Sequence, residues 1–596
     1  MRKSLCVIMA LVLALCLSPV AMAEDYTATA KGFGGDVTVT LTIEDGKLTA
    51  VKAEGPDETE GIGSKALEEL PEAMVARNSV EVDTVASATV TSTAVLTAAA
   101  DALAQAGVTL EPVEVEEEAK EPAKPTFENP DVIVIGAGFS GMNAALEAAT
   151  NGAKVYLIDK NDDMGGSIRF AGGTTSAAGA KMQIEAGVED SPENFQADIV
   201  RMGGGTNVAE LTKKHTECAA AAVDWLDELG ADFGDREPYF GVYQPLNVAR
   251  NYSGNGGASA FITALSNELD NYIGKNAYIA LNTRVEGLLT DENGAVVGVK
   301  ATAADGSEVE YYAPATAICT GGYGGSEELL KQYNFDNILS TSPSFVTGDG
   351  YRWLEELGAA FTNMDFCTAY AGGIRTNPDN FFDFNYFDVT NGCLWVDVNG
   401  NRMANETGAD SKVRSDSWSY ADQNLVYTVF SKEMLNPEAG VFSGGAWGSV
   451  PEDFDTFMAQ LIEQGLAFQA DTIEELAEKA GLPVDAFTAT ITAYNEGCAT
   501  GNDPFGRPEQ LVPMENGPFY AVQTMPYVMI TSGGPMMNVD CQVVRTDGSI
   551  IEGAYIAGEI VGMANVGGLN SIGGMGHDEL LLQKPPSGHL ARTGVF

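Results

Sequence analysis

The chain alternates between two hydrophobic rhythms. Positions 132–135 read VIVI, an unbroken β-branched run of the kind that forms a buried strand. A helix-like stretch, MNAALEAATNGA, follows, and then a second strand, KVYLIDK, ends at Asp159–Lys160. The order strand, helix, strand predicts a parallel βαβ unit. Further on, Ala317–Thr320 and Tyr555–Ala557 read as strands, the first buried and closed by Gly321-Gly322, the second closed by Gly558-Glu559. Nearer the N-terminus the rhythm differs. Tyr26 to Ala53 alternates apolar and polar, with a turn at Glu44-Asp45-Gly46, and predicts paired strands; helical stretches are read over Lys65–Ala76 and Ser92–Ala106. Residues 111–130, with four prolines and a block of glutamates, have no periodicity and read as a linker.

The turn between the first two parallel strands carries chemistry. Gly136-x-Gly138-x-x-Gly141 follows the strand directly, and Asp159 stands about 20 residues beyond it. Gly136 permits the tight turn, Gly138 admits a pyrophosphate to backbone amides at the helix start, and Gly141 lets the helix approach the sheet. Asp159 is placed to accept hydrogen bonds from an adenosine ribose. Gly165-Gly166-Ser167 and Ala171-Gly172-Gly173 offer more backbone amides, and the turn Thr347–Gly350 offers Asp349.

Length and charge narrow the class. A chain of 596 residues exceeds one ordinary domain. With 84 Asp+Glu against 33 Lys+Arg, the protein repels nucleic acid. Arg2 and Lys3, the apolar run Leu5–Leu17 and the small-x-small triplet Ala21-Met22-Ala23 read as an export signal ending at residue 23. That leaves Cys218, Cys319, Cys367, Cys393, Cys498 and Cys541, scattered and without CxxC, which points to free thiols rather than a disulfide framework, a haem or a metal site. His215, His577 and His589 are the three histidines, too few to favour a His-based metal centre or a Ser-His-Asp triad.

Two resemblances extend this reading. Asp83-Thr84-Val85-Ala86-Ser87-Ala88-Thr89 resembles the flavin-attachment motif of FMN-binding domains, whose terminal Thr or Ser carries FMN through a phosphoester added by a flavin transferase; Thr89 matches that position, and Ala86-Ser87 departs from the usual motif. The run ETEGIGSKAL from Glu58 resembles the same domain. From residue 131 the chain resembles the fumarate reductase/succinate dehydrogenase flavoprotein family, in particular its soluble exported, urocanate-reductase-like members. The resemblance implies an α/β architecture: a signal peptide (1–23), a small α+β FMN-binding domain (24–110), the linker (111–130), and a Rossmann-like FAD-binding domain in two parts (131–364 and 526–596) around an inserted α+β capping domain (365–525). It also implies FAD contacts at Gly136, Ala137, Ser140, Asp159, Lys160, Gly166, Ser167, Gly172, Gly173, Val285, Thr320, Gly321, Asp349, Glu559, Asn570 and Ile572.

In that family a flavin passes hydride to an activated C=C bond and a side chain protonates the neighbouring carbon. His and Arg residues clamp the substrate carboxylates. Here Tyr370 stands in one His slot, Ile530 in the other, Asn565 in the carboxylate-binding Arg slot, and Asp410 in the register of the proton donor, with Arg414 one helical turn later. Without the bidentate Arg, a dicarboxylate is a poor fit, and a less charged, aromatic acceptor suits Tyr370, Tyr252 and Tyr527 better. Arg414 is the candidate acid and Tyr370 the candidate polarising group; Arg375 and Arg402 are weaker candidates. The expected partners are a small alkene acceptor, a membrane electron-donor system and a flavin transferase. Two other readings stay open: a dehydrogenase of the same fold, ketosteroid-like, and a non-catalytic flavoprotein electron carrier. The C-terminus is unusual, since Pro585-Pro586 interrupts the helix expected after Gly576.

Overall fold

The computed structural model describes residues 24–113 and 125–567, apart from 33, 45, 59–62, 81, 83–88, 111, 126, 204, 241–245, 334, 336–337, 365–368, 378–384, 388–392, 407–424, 435–441, 444–453 and 508–510. The chain forms two compact units, Met1–Lys120 and Glu121–Phe596.

In the smaller unit, strands Glu24–Lys31, Asp36–Glu44 and Lys47–Glu54 make an antiparallel meander. The middle strand alternates strictly: Val37, Val39, Leu41 and Ile43 point inward, and threonines occupy the other face. Helices Gly63–Arg77 and Thr89–Ala106 cover the apolar face, the second through Ala94, Val95, Ala98, Ala99 and Ala102. This helix begins at Thr89, three residues before the apolar periodicity. β-Branched threonines and valine are weak helix formers, so the early start is a tertiary effect. Thr91 Oγ1 donates to Glu58 Oε2 at 2.5 Å and ties the first turn down.

The larger unit is built on a six-stranded sheet. Its order is Gln542–Val544, Ile550–Ile556, Ala315–Ile318, Val132–Ile135, Val155–Ile158, Ala277–Ala280. All neighbours are parallel except the first pair. The strand Val132–Ile135 is fully buried, as a parallel strand covered on both faces must be. From it the chain crosses one way to Val155–Ile158 and later the other way to Ala315–Ile318. That divergence is a topological switch point, where a crevice opens beyond the carboxyl ends of the strands. A second core gathers around Trp395, Phe430, Phe487 and Tyr520. Its sheet centres on Phe519–Val528, which pairs with Ala369–Ile374, Val426–Ser431 and Ala467–Ala470. Arg402 is buried there, bonded to Glu406 and Asp503 and stacked on Tyr494 and Phe505. Its charge is wholly committed to the framework.

Cys218, Cys319, Cys393 and Cys541 are buried free thiols, and Cys498 is a half-buried one. Among the described residues no helix is long and apolar enough to cross a membrane.

Candidate nucleotide site

A cleft opens at the switch point. Its floor is Ile135, Gly136, Gly138 and Ser140 on one side and Cys319, Thr320 and Gly321 on the other. The glycines differ in what they permit. A Cβ on Gly141 would lie 1.7 Å from the Gly136 carbonyl oxygen, and one on Gly136, at φ +101°, would lie 2.3 Å from the Cys319 carbonyl oxygen. Those two glycines close the backbone on itself. Gly138 is different: its nearest neighbours to such a carbon are Gly165 and Gly166 backbone atoms at 4.0 Å, so a side chain there would fill the cleft itself. The space over Gly138, at the start of helix Phe139–Thr150, is the cradle an anionic pyrophosphate requires.

Asp159 directly follows the strand Val155–Ile158 and is buried beside the cradle. One carboxylate oxygen accepts the Ala137 amide at 2.5 Å and the other the Asn161 amide at 2.8 Å. Burial raises its pKa against those two bonds and the nearby Lys160 and Arg169 charges. A carboxylate has about four acceptor positions, so capacity for ribose hydroxyls remains. At the other end, Lys160 Nζ donates to Thr347 Oγ1 at 2.7 Å and to Asp349 Oδ2 at 2.9 Å, and Arg284 lies 3.4 Å from the same carboxylate. Burial disfavours the Asp349 anion, but Lys160, Arg284 and Thr347 outweigh it and hold its pKa below the usual value. Glu559, which follows the strand Ile550–Ile556, accepts the Thr531 amide at 3.0 Å, and burial raises its pKa. Gly166, Ser167 and Val285 complete the expected lining. Ala137 and Gly141 are buried behind it. Gly165 joins the loop to Ala137 through a 2.8 Å bond, and Gly558, at φ +85°, turns the chain into Glu559.

Other expectations fare differently. Gly173 packs against the Gly257 backbone, and Gly172 has open space around its α-carbon. Tyr252, expected at the substrate, is 1% exposed and packs edge-on to Phe233 in the core, its hydroxyl 3.5 Å from the Ala177 carbonyl. An aromatic on a short strand carries the same sequence signal whether it faces a ligand or a core, and here the core holds it. Tyr527 is partly exposed, and the strand register sets Tyr370 directly opposite it. Arg375 follows that Tyr370 strand and is partly buried. Arg414, Asn570 and Ile572 lie outside the described residues, as do the side chains of Tyr370 and Thr89. Asn565 is fully buried: its Nδ2 donates to the Val561 carbonyl at 2.6 Å and its Oδ1 accepts Asn363 Nδ2 at 2.6 Å. Reading the sequence missed Thr283, Phe345 and Trp353, which also line the cleft. Thr283 could have been found as lying three residues beyond the Ala277–Ala280 strand, in its carboxyl-end turn, but the two aromatics carry no local signal.

The cleft therefore fits a dinucleotide. The model of the FAD binding domain family matches residues 131–576, and that of the FMN-binding domain family matches residues 32–104. The chain belongs to the fumarate reductase flavoprotein family, with an N-terminal FMN-binding domain. Urocanate reductase from Eggerthella lenta is 30% identical over 91% of this chain and 88% of its own length. NADH:acrylate oxidoreductase from Vibrio harveyi is 27% identical over 92% of this chain but only 59% of its own length, so this chain spans less than two thirds of that relative. The open conformation of a flavocytochrome c3 fumarate reductase superposes with a TM-score of 0.56 at 27% identity, over 78% of this chain and 77% of that one. A 3-ketosteroid Δ1-dehydrogenase from Sterolibacterium denitrificans gives 0.62 at 18% identity over 76% of this chain and 98% of that one, a likeness of fold alone.

Proposed function

We propose that the protein is an extracytoplasmic reductase of an activated C=C bond in a small organic acceptor, with FMN on the smaller unit relaying electrons from a membrane donor system. Bound FAD supplies hydride chemistry. The protein's own residues would hold it: Gly138 and Ser140 would receive the pyrophosphate and Asp159 a ribose, with the Lys160–Asp349 pair at the cleft rim. Arg414 delivers the proton to the carbon next to the one that receives hydride, and Tyr370 polarises the acceptor's electron-withdrawing group. The export signal read at residues 1–23 and the named reductases among the relatives support this function.

The observation that carries the choice of acceptor is Asn565. Its amide is neutral, buried and already bonded at both ends to Asn363 and Val561. A group committed in that way gives a substrate carboxylate neither charge nor a free donor fork. Together with Ile530, this favours an acceptor carrying at most one carboxylate. The test is to reduce the flavin-loaded protein with dithionite and add fumarate, acrylate, urocanate, a vinylphenol and simple enones in turn. Reoxidation of the flavin by a mono-acid or uncharged alkene, and faster than by fumarate, is the expected result. Preference for fumarate, or no reoxidation by any alkene, overturns it.

A further inference from the structure

We propose that Glu58 is a positioning residue for FMN attachment, fixing the helical turn that begins at Thr89. This rests on the reading of Thr89 as the flavin carrier. Attachment joins the threonine oxygen to the flavin-side phosphorus of a dinucleotide donor; the nucleoside monophosphate leaves and the hydroxyl proton passes to solvent or to the transferase. Such a transfer needs the acceptor segment held still, because displacement of about 1 Å can cost on the order of a hundredfold in rate. The first turn of a helix lacks internal partners and frays unless something outside it holds it.

Glu58 supplies that hold. Its Oε2 accepts the Thr91 hydroxyl at 2.5 Å, and its Oε1 accepts the Gly34 amide at 3.1 Å. Thr91 is 2% exposed and stands on the helix two residues after Thr89. One carboxylate thus ties the start of this helix to the Gly32–Gly35 turn between the first two strands. The surroundings are shaped to it. A Cβ on Gly32 would lie 2.2 Å from Glu58 Oε1, one on Gly55 2.8 Å from its Cγ, and one on Gly63 2.8 Å from its Oε2. None of these three glycines adopts the left-handed backbone that would otherwise call for glycine. What they share is space for a single side chain. Gly63 also opens the other helix, Gly63–Arg77, so the carboxylate meets the starts of two helices, where negative charge is favoured.

The experiment measures the initial rate of FMN addition by intact mass, on the full chain with flavin transferase and FAD. It compares wild type with Glu58→Ala, Glu58→Gln, Thr91→Val and, as the attachment control, Thr89→Ala. Thr91→Val keeps the shape of the side chain and removes only the hydroxyl, so it serves if Glu58→Ala folds poorly. Glu58→Ala and Thr91→Val are expected to load at least about tenfold more slowly. Glu58→Gln, which retains one acceptor oxygen, is expected to recover part of the rate, a rescue that a merely space-filling role would make complete. Loading of Glu58→Ala and Thr91→Val at the wild-type rate overturns the role of Glu58 alone. A wild type that gains no FMN mass, or a Thr89→Ala that gains as much, removes the attachment reading and this role together.

Discussion

Lys160 and Asp349, 189 residues apart in sequence, form a 2.9 Å ion pair at the rim of the nucleotide cleft. Each arrives on a different crossover of the sheet, so the pair also reports that both sides of the cleft are in place. Asp349→Asn removes the anion and leaves Lys160 partly buried. We expect FAD retention to weaken roughly tenfold, about 1.4 kcal/mol, measured by fluorescence on dilution. The pH dependence follows from the lowered Asp349 pKa. Stabilisation by the pair is complete above the usual carboxylate range and is lost as pH falls through the depressed value. Wild type should therefore lose more stability than Asp349→Asn below about pH 4.

Two of the fingerprint glycines, Gly141 and Gly138, should separate by phenotype. Gly141→Ala drives a carbon into a backbone oxygen and is expected to abolish soluble, folded protein. Gly138→Val has room within the fold but occupies the cradle, so it should give folded protein without FAD absorbance. Circular dichroism and the FAD released on denaturation check the distinction in the two variants, and a Gly138→Val that releases as much FAD as wild type would contradict it.

His215 is buried in the core beside Phe195, and burial lowers its pKa to about 3. The unfolded chain takes up a proton near pH 6.5 while the native protein does not. Stability is thus full above that value and falls by up to about 1.4 kcal/mol per pH unit between there and about pH 3. His215→Phe should flatten the dependence of the melting temperature on pH across that window.

Glu559 runs the opposite way. Its raised pKa means the native state binds a proton more tightly than the unfolded chain does. Ionisation therefore costs stability, absent at low pH and complete above the raised value. Glu559→Gln keeps an acceptor for the Thr531 amide and is expected to melt above wild type at neutral pH and level with it in acid. Melting curves of the FAD-free forms at the two pH values provide the check.

The parts of this molecule that announce themselves in sequence are those governed by local rules. VIVI, the Gly136–Gly141 fingerprint and Asp159 each follow from strand period, turn geometry and strand-end placement, and all meet at the cleft. Glu559 was legible for the same reason, as an acid at a strand tip. Phe345 and Trp353 were not, because only the long return of the chain brings them to the wall. Tyr252 misled because aromatic character alone does not say which way a strand faces. The start of the second helix at Thr89 was hidden too, since a bond to Glu58 across the fold overrides weak local preference.

The cleft draws on six separate stretches, near residues 136, 160, 167, 284, 320 and 349, and on a seventh at Glu559. A molecule seated there touches pieces of chain more than four hundred residues apart, so it works as a removable rivet. Its binding free energy counts only when every stretch is home, which links occupancy to the integrity of the larger unit. Release of FAD and collapse of tertiary order in the larger unit should then be a single thermal event, and excess FAD should move both together to higher temperature.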